Sequence, residues 1–472
     1  MATLAWRSLP WPLVHDAPIM HYVAWRIAHG AVPYRDLFDM NQPGVYLLHL
    51  LVLQTLGAGD FAWRLFDLAW LAATAAAIAA FAAPWGAAAA AGGALVFAAY
   101  HLSGGAWQAG QRDFLLCLFL VLGALGVTRW LERRRLASLL WSGAVLGAGV
   151  TVKPHAALLA GALAALVVVA AARATGLPGA VLPALAFVAA VAAVPVATLA
   201  WLAAIGALGP WRDIVVDYLV PLYSRLGRAS SWTVYRWHVW IPLSVGVAVS
   251  LASAAQRRAA GWRHAVATLG VGYGLAHYLA QGKGWEYHLY PLAAFVALLL
   301  CSELGAALAA RRAGVGAVLA ASLAAVLVLL GAKGLEAAPA EWWWNRERVV
   351  RAVVADVGPL LRPGDTVQVL DTAEGGVHAL LRLGVREPTR FLYDFHFFHD
   401  VDTPVVRALR AELARDLAAR PPGAIVLFER AWPAGGYERV ATFPALAERL
   451  ARDYTLARER PGFRVYAKRH DS

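Results

Sequence analysis

Residues 113–131, DFLLCLFLVLGALGVTRWL, decide the fold class. Fifteen residues without a charge, Phe114 to Thr128, separate Asp113 from Arg129. A run of that kind approaches the roughly 20 residues that carry a helix across a bilayer. Its apolar residues are continuous rather than alternating, which argues against a barrel strand. Asp113 stands at one end and Arg133-Arg134-Arg135 follow the other, so the two ends differ in charge.

Nine more runs read the same way: 60–82, 86–103, 137–152, 155–172, 179–206, 238–255, 264–280, 289–308 and 313–332. The short runs 137–152 and 155–172 read as a broken pair meeting at Lys153-Pro154. Composition agrees. The 472 residues are 60% hydrophobic and 15% charged, against about 25% charged in soluble domains. A purely soluble enzyme is excluded, and so is a disordered chain. The expected fold is mostly α: a polytopic helical bundle over 60–332, preceded by a mixed segment 1–59 with amphipathic juxtamembrane helices. Residues 333–472 return to soluble composition and read as a small α/β domain, with strands at 365–371, 424–428 and 463–467 and a helix at 405–420. Cys117 and Cys301 lie inside apolar runs, so neither a disulfide nor a Cys-based metal site is argued from them. Met1–Arg7 has no long apolar stretch of the signal-peptide kind.

Alternation of the spans puts Arg133–Arg135, Arg173, Arg257, Arg258, Arg263, Arg311 and Arg312 on one side. The excess of arginine marks that side as cytoplasmic and accounts for a net charge of +12 without nucleic acid. The other side then holds 1–59, 104–112, the Lys153 junction, 207–237, 281–288 and the tail, where Asp, His, Trp and Tyr gather. Chemistry on that face has neither ATP nor nucleotide sugars to draw on.

Three constellations lie on that face. The first is His15-Asp16-Ala17-Pro18, a helix over 19–29, then Gly30-Ala31-Val32-Pro33-Tyr34-Arg35-Asp36-Leu37-Phe38-Asp39-Met40-Asn41-Gln42-Pro43-Gly44. A carboxylate on an interfacial helix sits at headgroup level and suits a general base for an acceptor hydroxyl; the alternative for Asp16 is a helix cap, and for Asp36 and Asp39 turn formation. The second is Trp107 to Asp113. Arg112 and Asp113 at a helix mouth are costly unless paired or wetted, and the alternative is an interfacial anchor with a cap. The third is Gln281-Gly282-Lys283-Gly284-Trp285-Glu286-Tyr287-His288, where Lys283 and His288 suit a phosphate and the alternative is an aromatic-belt loop with a snorkelling lysine. Lys153 at its helix break is a further cation. His396-x-x-His399-Asp400-x-Asp402 imitates a metal cluster without a third partner, and Trp342-Trp343-Trp344 reads as a membrane seat for the tail.

The pattern Asp16, Gly30-x-x-Pro33-Tyr34-Arg35-Asp36, Phe38-Asp39, Pro43-Gly44 and Ala62-x-Arg64-Leu65-x-Asp67 resembles the first periplasmic loop of bacterial GT-C glycosyltransferases. More closely it is similar to the branch related to protein O-mannosyltransferases and lipid A aminoarabinose transferases. The resemblance implies a sugar taken from a polyprenyl-phosphate carrier, with Asp16 as the catalytic aspartate and Asp113 as a second acidic residue that positions acceptor or base. It also implies a transmembrane helix ahead of that aspartate. Fifteen residues precede Asp16, so that helix is expected to be absent or the start misassigned. The family often has Lys-Pro-Pro where this chain has Asn41-Gln42-Pro43, which shifts phosphate binding to other cations.

The resulting expectation is a multi-pass inner-membrane glycosyltransferase with its active site and tail extracytoplasmic. It would move a sugar from a polyprenyl-phosphate donor to a hydroxyl of an envelope glycan, lipid or protein, with inversion. Asp16, Asp39 and Asp113 form the catalytic set, and Lys283, His288, Tyr287, Arg112, Lys153 and Tyr34 the substrate-binding set, with no metal and no cofactor. The alternatives are a lipid or glycan transporter, which needs polar residues at mid-span, and a non-catalytic envelope assembly protein.

Overall fold

The computed structural model describes residues 1–229, 236–339, 341–433 and 435–469. Before the bundle come α1 (Ala2–Arg7), α2 (Ala17–Ala28) and α3 (Pro43–Thr55). The bundle comprises α4 (Asp60–Ala82), α5 (Ala87–Leu102), α6 (Arg112–Arg133), α7 (Leu136–Val152), α8 (Ala156–Ala204), α9 (Leu208–Asp213), α10 (Trp237–Gln256), α11 (Trp262–Gln281), α12 (Tyr290–Leu300), α13 (Leu304–Ala309) and α14 (Ala313–Ala337). Among the described residues, six segments are long and apolar enough to cross a membrane by length and composition: 60–85, 112–133, 156–204, 237–256, 286–309 and 313–337. The protein is a multi-pass helical membrane protein.

The runs 155–172 and 179–206 are both present within α8. They are separated at Gly176, whose φ of 75° and ψ of 170° no helix contains. That φ suits glycine, and Pro178 follows it closely. The run 289–308 is interrupted between α12 and α13. There the buried Glu303 accepts from Ser253 Oγ at 3.0 Å and faces Arg257 at 3.5 Å. Small residues let the helices approach: Gly143 and Gly147 of α7 stand four apart against the far half of α8. This is the spacing by which membrane helices bring backbones together.

The arginine-rich loops meet at one end of the bundle. Arg263 pairs with Glu132 at 2.8 Å, Arg134 donates to the Ala170 carbonyl at 3.4 Å, and Arg312 donates to Ser253 Oγ at 2.9 Å. The segments that alternation assigns to the other side converge on one cavity at the opposite end.

The tail holds α15 (Glu341–Val357), β1 (Val367–Leu370), α16 (Gly376–Leu383), α17 (Pro404–Ala419), β2 (Ala424–Phe428), α18 (Pro444–Asp453), β3 (Tyr454–Arg460) and β4 (Phe463–Lys468). The sheet order is β1-β2-β4-β3, with β1 and β2 parallel and β4 antiparallel to both its neighbours. Strand β3 is the one that the sequence does not signal. Among the described residues it pairs only with β4, and most of it is exposed, so it reads Leu456-Ala457-Arg458-Glu459-Arg460 rather than as an apolar run. Trp343 is buried beside Trp11 while Trp344 is 45% exposed; the side chain of Trp342 lies outside the described residues.

The tail is fastened to the N-terminal loop. Phe38 N–H donates to the Arg390 carbonyl at 2.6 Å, and Tyr22 hydroxyl to the Val385 carbonyl at 3.1 Å. Asp60 receives Arg382 at 2.6 Å, faces His378 at 3.3 Å and accepts Leu13 N–H at 3.0 Å.

A Cβ at position 143 would lie 2.6 Å from Ala190 Cβ and 2.8 Å from the Phe187 carbonyl, whereas one at position 161 would meet nothing within 4 Å. Gly143→Ala should therefore destabilise the detergent-solubilised protein by about 1–3 kcal/mol, seen as a lower Tm. Gly161→Ala should be neutral or stabilising. Equal Tm values for the two variants would contradict this packing.

Candidate active site

Asp16 occupies the N-cap position of α2, yet its carboxylate makes no capping hydrogen bond. It turns instead to His15 Nδ1 at 3.0 Å and to Arg112 Nη2 at 3.9 Å. Burial alone would raise its pKa. The neighbouring His15, Arg112 and Lys153 outweigh burial and hold it below the usual carboxylate range. Both Asp16 and Arg112 line the cavity, whose volume is about 1650 Å³.

Arg112 begins α6, and two carboxylates that do not reach the cavity hold it in place. Asp39, fully buried, accepts Asn41 Nδ2 at 2.9 Å and Asn41 N–H at 3.1 Å. Asn41 Oδ1 in turn accepts Arg112 Nη1. Asn41 thus carries an arginine from another element. Burial raises the pKa of Asp39 despite these bonds. Tyr34, in the left-handed region at φ 66°, donates its hydroxyl to the Asn41 carbonyl at 2.8 Å. Asp39 and Tyr34 therefore lie behind Asn41, outside the cavity lining. Asp36 receives Val32 N–H at 2.8 Å and Arg35, and serves the turn.

Asp67 fixes the other side of the loop. It pairs with Arg64, takes His101 Nε2 at 2.9 Å and accepts Gly110 N–H at 3.0 Å, two residues before Arg112. Arg64 also stacks over Trp11 at 4.5 Å and receives support from Ser8 Oγ. The Arg64/Asp67 spacing is visible in the sequence as an i, i+3 pair, but nothing there says that it anchors a distant loop.

Asp113 sits one residue beyond Arg112, on the buried side of α6. Lys153 Nζ donates to its two oxygens at 2.7 and 2.8 Å, His277 Nε2 lies at 2.5 Å and Gln281 Nε2 at 3.3 Å. Lys153 lines the cavity and Asp113 does not. Burial brings the Lys153 ammonium down to about 8, against the pull of Asp113.

Lys283 lines the cavity as well, and its ammonium already has partners. It donates to the Tyr223 carbonyl at 2.9 Å and to the Leu226 carbonyl, and it lies over the rings of Tyr223 at 4.3 Å and Trp432 at 5.2 Å. Burial first, and Arg228 second, lower its pKa to about 8. His288 Nδ1 and the Tyr287 hydroxyl line the same cavity, buried, with no hydrogen-bond partner among the described residues. Unpaired buried polar atoms at a cavity wall mark where a ligand completes the site.

The sequence reading does not single out the tail's share of this wall: Thr372, Glu374, Tyr393, Glu429 and Trp432. Nor does it single out His277, which appears in the sequence as one His among apolar residues. Among the described residues His396 and His399 belong to no group that could hold a metal ion. Their Nδ1 and Nε2 atoms flank the Tyr218 hydroxyl at 2.8 and 2.7 Å, tying the tail to the π-helical wall segment Ile214–Tyr223.

No family model matches the sequence, and no curated protein matches it. In three dimensions the chain is similar to ArnT from Cupriavidus metallidurans. The apo structure matches at 13% identity and TM-score 0.61, covering 99% of this chain and 96% of that one. The structure bound to undecaprenyl phosphate matches at 14% identity and TM-score 0.62, with the same coverage. The chain is also similar to the Archaeoglobus fulgidus oligosaccharyltransferase tethered with an acceptor peptide, at 12% identity and TM-score 0.50, covering 99% of this chain and 73% of that one. At such identities the likeness is one of fold. The fold is of the GT-C type, as the N-terminal loop motif implies.

Asp113→Asn leaves the Lys153 charge buried with a weaker partner, and breaking such a pair costs about 3–5 kcal/mol. The variant should show a markedly lower Tm in detergent. Asp113→Asn combined with Lys153→Met should recover part of the loss. A double variant no more stable than the single one would contradict the pairing.

Proposed function

We propose that the protein is a GT-C-type glycosyltransferase of the inner membrane that transfers a sugar from a polyprenyl-phosphate carrier to an acceptor hydroxyl, with inversion. In this reading segments 1–59 and 333–472 and the cavity face away from the cytoplasm. The observation that carries it is the Asp16 carboxylate, which caps no helix and faces Arg112 Nη2 at 3.9 Å, at the wall of a cavity also lined by Lys153, Tyr287 and His288. The arginine-rich end lies opposite. The fold likeness to a protein bound to undecaprenyl phosphate supports the same donor class.

Asp16 takes the proton of the acceptor hydroxyl as its oxygen attacks the anomeric carbon from the face opposite the phosphate. The bond from that carbon to the phosphate oxygen breaks, and both electrons leave with the polyprenyl phosphate. Negative charge grows on the leaving oxygens. Arg112 and Lys153 stabilise it best, because they are fixed and desolvated before reaction. His288 Nδ1 and the Tyr287 hydroxyl supply neutral donors. Asp39, through Asn41, and Asp113, through Lys153, act as positioning residues. Lys283 holds the cavity wall at 223–226 and adds to the positive potential.

Asp16→Asn should lower transfer from a polyprenyl-phosphate sugar by about 100-fold or more, while undecaprenyl phosphate binding and membrane insertion stay as in the wild type. Arg112→Ala should weaken that binding. Unchanged transfer by Asp16→Asn defeats the mechanism. The pH profile offers a second check. The Asp16 carboxyl is held below the usual carboxylate range, so the rate should carry no acid limb from Asp16 between about pH 5 and 7. A limb in that window that vanishes in Asp16→Asn would contradict its assigned state.

A further inference from the structure

The cavity has two chemically different sides. Arg112, Lys153 and Arg228 stand on the side made by the bundle and its loops, and Lys283 reaches across from it, its ammonium over the Trp432 ring at 5.2 Å. The tail contributes the opposite side through two loops that follow β1 and β2. Those strands are parallel and in register, Val367 to Ala424 through Leu370 to Leu427, so their carboxyl ends open onto the same place. The crevice outside the carboxyl ends of parallel strands is where open α/β sheets hold ligands.

The chemistry of that crevice argues against an anion. The three amides at the start of α16 are taken: Asp371 accepts the N–H groups of Glu374 at 2.8 Å, Gly375 at 3.1 Å and Gly376 at 2.7 Å. The crevice's cations have partners or neighbouring acids: Arg346 pairs with Glu374, Arg430 follows the exposed Glu429 in sequence, and the Lys283 ammonium over Trp432 is held by the Tyr223 and Leu226 carbonyls. What remains is hydroxyl-seeking and aromatic. Trp432 is held in place by its N–H, which donates to Thr372 Oγ1 at 3.2 Å, while Thr372 donates to the buried Asp394 at 2.8 Å. Its ring meets Phe395 at 5.7 Å and Trp285 at 6.0 Å, both steeply inclined, and lines the cavity.

We propose that this tail-side crevice is the acceptor subsite and that it takes an uncharged, hydroxyl-rich saccharide, stacked on Trp432 with its hydroxyls on Glu429, Glu374 and Thr372. The inference rests on the transferase reading and narrows its acceptor to a neutral glycan. A fixed indole offers a flat apolar face to the C–H side of a sugar ring at little entropic cost. Carboxylates that already carry or neighbour a counter-charge accept hydroxyl donors without demanding a cation.

The test uses the full-length protein in detergent. Binding of linear mannan and arabinan tetrasaccharides, of an oligogalacturonate and of undecaprenyl phosphate is measured by intrinsic tryptophan fluorescence and calorimetry. The expected result is binding of at least one neutral tetrasaccharide, weakened about tenfold or more by Trp432→Ala and severalfold by Glu429→Ala. Undecaprenyl phosphate binding should be unchanged in Glu429→Ala. Glu429 is exposed, so its variant keeps the test open should Trp432→Ala fail to fold. Oligogalacturonate binding without neutral binding, neutral binding that survives both substitutions, or binding of no tetrasaccharide overturns the proposal. Undecaprenyl phosphate that fails to bind the wild type counts against the transferase reading itself, whatever the glycans do.

Discussion

Asp113 has no exposed surface, and the cavity depends on it. A carboxylate at that depth is costly unless both oxygens are met. Lys153 from the α7–α8 junction and His277 and Gln281 from α11 meet them. One charge therefore fastens three parts of the bundle at a single level. It fixes Lys153 at the cavity wall and sets the start of α6, where Arg112 projects from the adjacent residue. Asp39 and Asp67 repeat the device on either side, through Asn41 and through Gly110. The buried acids of this site act mainly by holding cations and loops, which leaves Asp16 as the cavity-lining member of the expected catalytic set.

That division explains what the sequence discloses and what it hides. The spans are legible because membrane helices need long continuous apolar runs, and α6 (Arg112–Arg133) and α11 (Trp262–Gln281) differ from the runs 113–131 and 264–280 only at their ends. The break at Lys153-Pro154 is legible for the same reason. Strand β3 is hidden because an exposed edge strand has a polar pattern. Asp16, Arg112, Asp113 and Lys153 are identifiable as charges at helix mouths, but Asp16 meets Arg112 across 96 residues and Lys153 meets Asp113 across 40, which no local pattern encodes. In the sequence Lys283 reads as a point charge suited to a phosphate. In the structure it lies against two carbonyls and an aromatic wall, because the chain at Ala229 folds back, its N–H donating to the Gly282 carbonyl at 2.8 Å.

The tail is more than an appendage in this arrangement. It is tied to the N-terminal loop at Phe38, Tyr22 and Asp60, and to the cavity wall at Tyr218. A loop carrying Asp16 at a membrane surface needs such support. Without it the helix over 17–28 rests only on its apolar face, and the position of its first residue is free to drift. Clamped from above by the tail and from beside by Arg112, the carboxylate stays turned toward the cavity.

The most direct test of this account is a cryo-EM structure of the protein with undecaprenyl phosphate. The account predicts phosphate density beside Arg112 and Lys153, with the Asp16 carboxylate open to the same cavity and the tail loops 371–376 and 429–432 across from it. Phosphate bound at the arginine-rich end, or at a place from which Asp16 is walled off, would contradict it.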